Sequence, residues 1–288
     1  MHTVGRTVAS IARRMRAARL SYGHGTSNAH DEAAWLVLNA CGIALGELED
    51  NADRQVSAAQ LRRIERLIER RIRERIPAAY LTHEAWLGEH SFYVDRRAIV
   101  PRSFIAELLP EGLAMFLHVR VRHALDLCTG SGCLAVLLAR AFPDAVVEAT
   151  DLSAGALAVA KRNVDRYELA HRVTLARSNL FSGLAGRRYD LIVSNPPYVT
   201  AASMARLPQE YLAEPRMALA GGKDGLDLVQ KILAQARQHL NPRGVLLCEV
   251  GHNRKGVERA FPRLPFTWLD TSAGDGVVFL LEKGQLPG

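Results

Sequence analysis

The feature that most limits the fold is an alternation that runs from residue 124 to residue 282. Apolar runs of five to seven residues cover 124–128, 145–150, 172–176, 190–194, 244–250, 266–270 and 277–282. Between them, patterns at helical spacing occupy 133–142, 154–167, 226–240 and 255–261. Runs of that length are strands, and a helix between two strands is the crossover that lets them lie parallel. The alternation therefore predicts an α/β protein with a doubly wound, mostly parallel sheet of seven strands. Only residues 271–276 separate the last two runs, too few for a crossover, so the final strand returns antiparallel.

The first part of the chain has a different period. Val4, Val8, Ile11 and Met15 mark one face of a helix over residues 3–20. Asn28 can cap a second helix, with Asp31 and Glu32 in its first turn, Trp35, Leu36 and Leu38 within it, and Gly42 closing it after Cys41. Ser57 can cap a third, whose apolar stripe is Leu61, Ile64, Leu67, Ile68, Ile72 and Ile76. Its other faces carry Arg62, Arg63, Arg66, Arg70, Arg71, Arg73 and Arg75 with Glu65, Glu69 and Glu74. Spacing puts Glu65 near Arg62, and Glu69 near Arg66 and Arg73. Two readings stand: a solvated face with weak ion pairs, or an arginine surface that meets RNA or a ribosomal protein. Pro77 ends the helix. Residues 81–100, with Trp86, Phe92, Val94 and Ile99, read as a short hairpin or extended linker. The expected division is a small helical domain over 1–88 and a larger domain over 89–288. In the latter, a helical stretch with Ile105, Leu108 and Leu109 is interrupted by Pro110.

Composition excludes several classes. No apolar run approaches the roughly 18 residues of a membrane span. Four cysteines are too few for a disulfide scaffold, and Cys128 and Cys133 lack C-x-x-C spacing, so no metal is expected. Reduced thiols suit a cytoplasmic protein. A net charge of +7 is compatible with a nucleic-acid partner but does not demand one. The first 30 residues hold five arginines and no acid, as a transit peptide or a first surface helix would.

Two strand ends carry the chemistry. Asp126-Leu127-Cys128-Thr129-Gly130-Ser131-Gly132 closes the first strand of the sheet and opens a helix. Glycine lets a backbone turn sharply and approach a ligand. Gly130, Gly132 and Ala135 also satisfy a dinucleotide fingerprint, with Asp151 where a ribose-binding acid belongs. Asp126, just before the turn, suits a cationic amino acid moiety better than a pyrophosphate, which favours S-adenosyl-L-methionine. Asp151 can hold ribose hydroxyls or cap a helix, a task for which Ser153 competes. Asn179 can meet an adenine edge or cap a turn. The fourth strand ends in Asn195-Pro196-Pro197-Tyr198, and two prolines in succession make a rigid corner. An amide nitrogen is a poor nucleophile because its lone pair is delocalised. The Asn195 side-chain carbonyl and the Pro196 main-chain carbonyl can each accept one N–H of an NH2 group and aim its nitrogen, while Tyr198 packs on the planar acceptor. A glutamine amide and an adenine amine both answer this description.

With these residues the chain resembles the HemK/PrmC group of glutamine methyltransferases. The resemblance rests on Asp126 to Gly132 together with Asn195 to Tyr198. It extends through Tyr80-Leu81-Thr82-His83, Phe92-Tyr93-Val94-Asp95, Val100-Pro101-Arg102-Ser103, Leu207-Pro208-Gln209-Glu210-Tyr211 and Gly222 to Leu228. Within the group these stretches are most similar to members that methylate a glutamine in large-subunit ribosomal protein L-three. Release-factor members usually read Pro-Arg-Pro-Glu-Thr where this chain has Pro101-Arg102-Ser103-Phe104-Ile105. The resemblance implies a class I S-adenosylmethionine-dependent methyltransferase fold behind a helical substrate-recognition domain, to which the Arg-rich start belongs. It implies that Cys128, Thr129, Gly130, Ser131, Gly132, Asp151 and Asn195 contact the cofactor and that Asn195, Pro196, Pro197 and Tyr198 hold the glutamine. The group commonly has Asp where this chain has Asn179, which keeps an acceptor there without its charge. A ribosomal protein as substrate, contact with ribosomal RNA through the Arg-rich helices, and a cytoplasmic place are the matching expectations. Methylation of a release factor, or of adenine in nucleic acid, are the alternatives.

Overall fold

A computed structural model describes residues 2–109 and 111–287, and Pro110, the expected interruption, lies outside them. Four helices come first. Thr3 caps α1 (Val4–Ala17). Asn28 caps α2 (Ala29–Cys41) by accepting from the amides of His30 and Asp31, and Gly42 closes it in the left-handed region at φ 68°. Ser57 and Gln60 form a capping box for α3 (Ala58–Arg73). This helix ends before Pro77, with Arg75 at φ 56°, and Pro77 instead precedes α4 (Ala78–Thr82). Val4, Val8, Ile11 and Met15 of α1 share one core with Trp35, Leu36 and Leu38 of α2 and with Ile64 and Ile68 of α3. The Arg-rich start is thus a helix of the folded structure.

The polar side of α3 departs from expectation at two positions. Glu65 pairs with Arg14 of α1 at 2.8 Å rather than with Arg62, because the neighbouring helix is as close as the next turn. Arg71 is not on a solvated face; it is fully buried. Positions 64, 68 and 71 continue one 3–4 spacing, so Arg71 falls under α3, where Glu32 and Glu210 receive it. The pair Glu69–Arg73 forms at 2.9 Å, as the spacing indicates.

A hairpin of β1 (Ala85–Leu87) and β2 (His90–Phe92) follows, then a 3-10 turn over Phe104–Leu108 capped by Ser103. The sheet contains β3 (His123–Leu127), β4 (Val146–Asp151), β5 (Val173–Arg177), β6 (Tyr189–Ser194), β7 (Leu240–Glu249), β8 (Thr267–Leu269) and β9 (Val278–Glu282) in the order β5-β4-β3-β6-β7-β9-β8. Among these seven strands β9 alone runs opposite to the other six. The connecting helices are α5 (Cys133–Ala141), α6 (Ala154–Arg166), the short α7 (Ala201–Met204), α8 (Asp227–Ala236) and α9 (Arg254–Ala260). Alternate strand residues face opposite sides. Ala124, Val147, Leu191 and Val193 pack with α5, while Leu125, Leu127, Ile192 and Leu246 pack with Val229, Ile232 and Leu233 of α8. Strand order reverses between β3 and β6, so a crevice opens beyond the carboxyl ends of these strands.

Candidate active site

A cavity of about 320 Å³ occupies that crevice. Its floor is Cys128 and Gly130 after β3, Asp151 at the end of β4, Asn179 after β5, and Asn195 to Tyr198 after β6. Its other wall includes Ile99, Arg102, Leu207, Tyr211 and Leu219. The turn after β3 places Cys128, Gly130 and Gly132 at φ 64°, 56° and 77°. At Gly130 a Cβ would meet nothing nearer than Ile99 Cγ2 at 3.6 Å, so bare backbone faces the cavity. At Gly132 it would lie 2.9 Å from the Ala160 Cβ, so this glycine lets the start of α5 pack on α6.

Asp126, Thr129, Ser131 and Gly132 stand behind the turn, off the cavity wall. Asp126 is fully buried; one carboxylate oxygen accepts from the Thr129 hydroxyl, and the other has no partner among the described residues. Burial pushes its carboxyl up to about 7. Thr150 borders the cavity, and its hydroxyl is likewise buried without a partner among the described residues. Asp151 accepts from the Gly130 amide at 2.9 Å and the Ser153 amide at 2.8 Å. Ser153 caps α6, which leaves the remaining lone pairs of Asp151 to the cavity. Asn179 is exposed at the rim.

The corner after β6 is braced on every side. Ser194 Oγ donates to the Leu127 carbonyl at 2.7 Å, which ties the ends of β6 and β3. Asn195 Nδ2 donates to the Arg102 carbonyl at 3.1 Å, which turns Oδ1 away, an acceptor with no partner among the described residues. Val199 N donates to the Leu219 carbonyl and Gly221 N to the Val199 carbonyl, each at 2.9 Å. A Cβ at Gly221 would stand 2.7 Å from Tyr198 Cα, so two backbones lie in direct apposition there. The Tyr198 hydroxyl donates to Glu249 at 3.1 Å, and Glu249 also accepts from Ser103 Oγ at 2.6 Å and Phe104 N at 2.9 Å. Burial raises the Tyr198 phenol and keeps it neutral.

The sequence pattern does not point to Ile99, Arg102 or Tyr211 as cavity wall, nor to Glu249 as the anchor of Tyr198. A signal existed for Glu249: it interrupts the apolar run 244–250, and an acid buried within such a run needs a partner. The ring of Tyr198 also depends on Gly251, where a Cβ would reach within 2.6 Å of the Tyr198 Cε2 at a backbone φ of 55°. Gly251→Ala is expected to displace the ring and lower kcat/KM for a substrate bound against it about tenfold or more. The left-handed backbone adds a stability cost of about 1–2 kcal/mol. Steady-state kinetics with thermal unfolding check both.

Strand order, the crevice beyond the carboxyl ends and the corner after β6 together define a class I methyltransferase fold. Its family follows from known proteins. A family model of the methyltransferase small domain matches residues 106–222, and one of the PrmC N-terminal domain matches 14–82. The ribosomal protein uL3 glutamine methyltransferase of Neisseria meningitidis serogroup A is 54% identical over 277 residues, which cover 96% of this chain and 91% of that one. Its counterpart from Burkholderia pseudomallei is 50% identical over 294 residues, covering 99% and 96%. The chain belongs to the ribosomal protein uL3 glutamine methyltransferase family. Among solved structures, the hMettl16 catalytic domain in complex with MAT2A 3'UTR hairpin 6 aligns with a TM-score of 0.53 at 15% identity over 66% of this chain and 74% of its own, a likeness of fold alone. No helix among the described residues is long and apolar enough to cross a membrane.

Proposed function

We infer that this protein transfers a methyl group from S-adenosyl-L-methionine to the side-chain amide nitrogen of a glutamine in ribosomal protein uL3. One observation carries the reading of the reaction: at the end of β6, on the wall of the cavity that Asp151 also lines, the Asn195 amide is held through its nitrogen, and its oxygen has no partner among the described residues. The acceptor protein follows from the family, whose members match over nearly the whole chain. The residues present fit the cofactor. Asp151, fixed by two backbone amides, suits the ribose hydroxyls, Gly130 offers close backbone approach, and the unpartnered Thr150 hydroxyl adds a polar group. Cys128, Asn179 and Asn195 complete that wall, while Asp126, Thr129, Ser131 and Gly132 support the turn from behind. When bound, the cofactor supplies an electrophilic methyl on a sulfonium.

The chain's own residues do the rest. Asn195 Oδ1 and the Pro196 carbonyl accept the two N–H groups of the target amide, which aims its nitrogen into the cavity. Tyr198, anchored on Glu249, covers the amide plane. No base is needed before transfer, since the proton can leave the methylated nitrogen afterwards. Positioning therefore supplies most of the rate gain. Contact with ribosomal RNA through the exposed Arg62, Arg63 and Arg66 belongs to this reading and makes acceptor binding salt-dependent. A cytoplasmic place, where its free thiols stay reduced, belongs to it too.

Incubation with labelled S-adenosyl-L-methionine and ribosomal proteins from an undermethylated strain is expected to label uL3 on one glutamine, as mass spectrometry of the product shows. Label on release factors alone overturns the acceptor. Label released by nuclease rather than protease points to adenine.

A further inference from the structure

Among the described residues, the orientation of the Asn195 amide hangs on one hydrogen bond, from Nδ2 to the main-chain carbonyl of Arg102. An amide can present either of two faces. With Oδ1 toward the cavity it accepts an N–H of the target; flipped, it would set one NH2 against another, donor against donor. A carbonyl can only accept, so the Arg102 carbonyl selects the first face. What holds that carbonyl is therefore part of the catalytic geometry.

It is held by Glu214, 112 residues further along the chain. The two guanidinium nitrogens of Arg102 donate to the two Glu214 oxygens at 2.6 and 2.7 Å, a bidentate pair. The same carboxylate accepts from Val100 N at 3.0 Å, so a single group pins both ends of residues 100–102. The Glu214 side chain is 0% exposed and that of Arg102 30%. Burial alone would raise this carboxyl, but the hydrogen bonds and charge of Arg102 outweigh it and hold it at about 2, so the clamp is ionised across the neutral range. Glu214 follows a 3-10 turn over Gln209–Ala213. Tyr211 on that turn lines the cavity, with the Arg102 guanidinium carbon 5.6 Å from its ring centre and the His24 ring 4.4 Å away. The same turn is tied to the helical layer by Glu210, which accepts from Ser21 N at 3.0 Å and from Arg71 and Arg75 at 3.4 and 3.3 Å.

We propose that Glu214 and Arg102 are positioning residues for methyl transfer: Glu214 clamps residues 100–102, and the Arg102 carbonyl thereby fixes which face of the Asn195 amide meets the acceptor. The docked helical layer, through Glu210, seats the turn from which Glu214 reaches. The proposal rests on the reading of Asn195 given above.

The test compares wild type with Glu214→Gln, which keeps the shape but places an NH2 against the guanidinium. With uL3 as acceptor, kcat is expected to fall about 10- to 100-fold, the cost of a small misplacement at a reacting group, while the Kd for S-adenosyl-L-methionine changes less than about twofold. A purely structural role would lower Tm and the fraction of competent sites and leave kcat per cofactor-binding site unchanged; that result overturns the proposal. A second readout needs no turnover. By NMR, exchange of the Asn195 side-chain amide protons is expected to accelerate about tenfold or more in Glu214→Gln, and unchanged exchange overturns the proposal even if the acceptor is not uL3. Wild type inactive on uL3, with exchange accelerated in the variant, would overturn the acceptor and leave the clamp. Should Glu214→Gln fail to fold, Arg102→Lys keeps the charge and loses the fork. It is expected to move both readouts in the same direction, and no movement of either overturns the clamp.

Discussion

Replacing Asn195 by alanine is expected to lower kcat for methyl transfer about 10³-fold, the upper end of what loss of one preorganised polar contact costs. The target nitrogen shares its lone pair with the adjacent carbonyl, so its reactivity depends on direction more than on charge. Asn195→Ala removes the acceptor that sets that direction and leaves the Pro196 carbonyl alone, about which the amide can swing. The fold should survive. The amide makes one protein hydrogen bond among the described residues, to the Arg102 carbonyl, and the side chain is only half buried. Loss of one such bond costs about 1 kcal/mol, a fall in Tm of about 2–4 °C. Single-turnover transfer to uL3, with cofactor binding measured separately, checks the split. A variant retaining more than about a tenth of the wild-type rate would remove Asn195 from the site, because the margin would then be no larger than that of a peripheral contact.

Much of the architecture was legible because it is written locally. Each strand is a short apolar run, and each cap at Asn28, Gly42 and Ser57 is a residue whose chemistry needs only its immediate neighbours. The corner at Asn195 to Tyr198 was legible for the same reason: prolines declare a rigid turn whatever surrounds it. Arg71 was not, since its place on the apolar spacing conflicts with its charge. The conflict resolves only through Glu32 and Glu210, which lie 39 and 139 residues away in the chain. Gly132 shows the same limit. The motif implies a turn next to a ligand, but the atom that forbids a side chain there belongs to Ala160 on another helix. The clamp of Arg102 by Glu214 joins two ordinary surface-type residues, and no periodicity marks Glu214 as buried or the two as partners. What the sequence conceals is thus the pairing of polar groups across elements, and the far wall of the cavity is built from such pairs.

Arg71→Ala is expected to destabilise the protein by about 3–5 kcal/mol, because removing one member of a buried ion pair strands the charge of the other. Arg71 is 0% exposed. Its Nε donates to Glu32 at 2.6 Å, Nη2 to the Ser21 carbonyl at 2.9 Å, and Nη1 to Glu210 at 3.4 Å. Glu210 keeps Arg75 in the variant, whereas among the described residues Glu32 keeps only the Thr26 hydroxyl at 3.2 Å. Burial already holds the Glu32 carboxyl above its ordinary value despite the pull of Arg71, and loss of the guanidinium raises it further. A carboxyl raised in the folded state binds its proton more tightly there than in the unfolded chain. Its contribution is therefore present in full below the ordinary value of about 4.5 and is lost as pH rises through the raised one. The deficit of Arg71→Ala should accordingly be larger at pH 8 than at pH 5, where Glu32 can take up a proton. Urea unfolding of both proteins at the two pH values measures it. The stripe predicted for α3 turns on this result. A loss under about 1 kcal/mol with no pH dependence is what a solvated ion pair gives, and it would place Arg71 on an open face of the helix. A loss of the full size makes Arg71 the charged centre on which the helical layer, Glu210 and the cavity wall behind it are assembled.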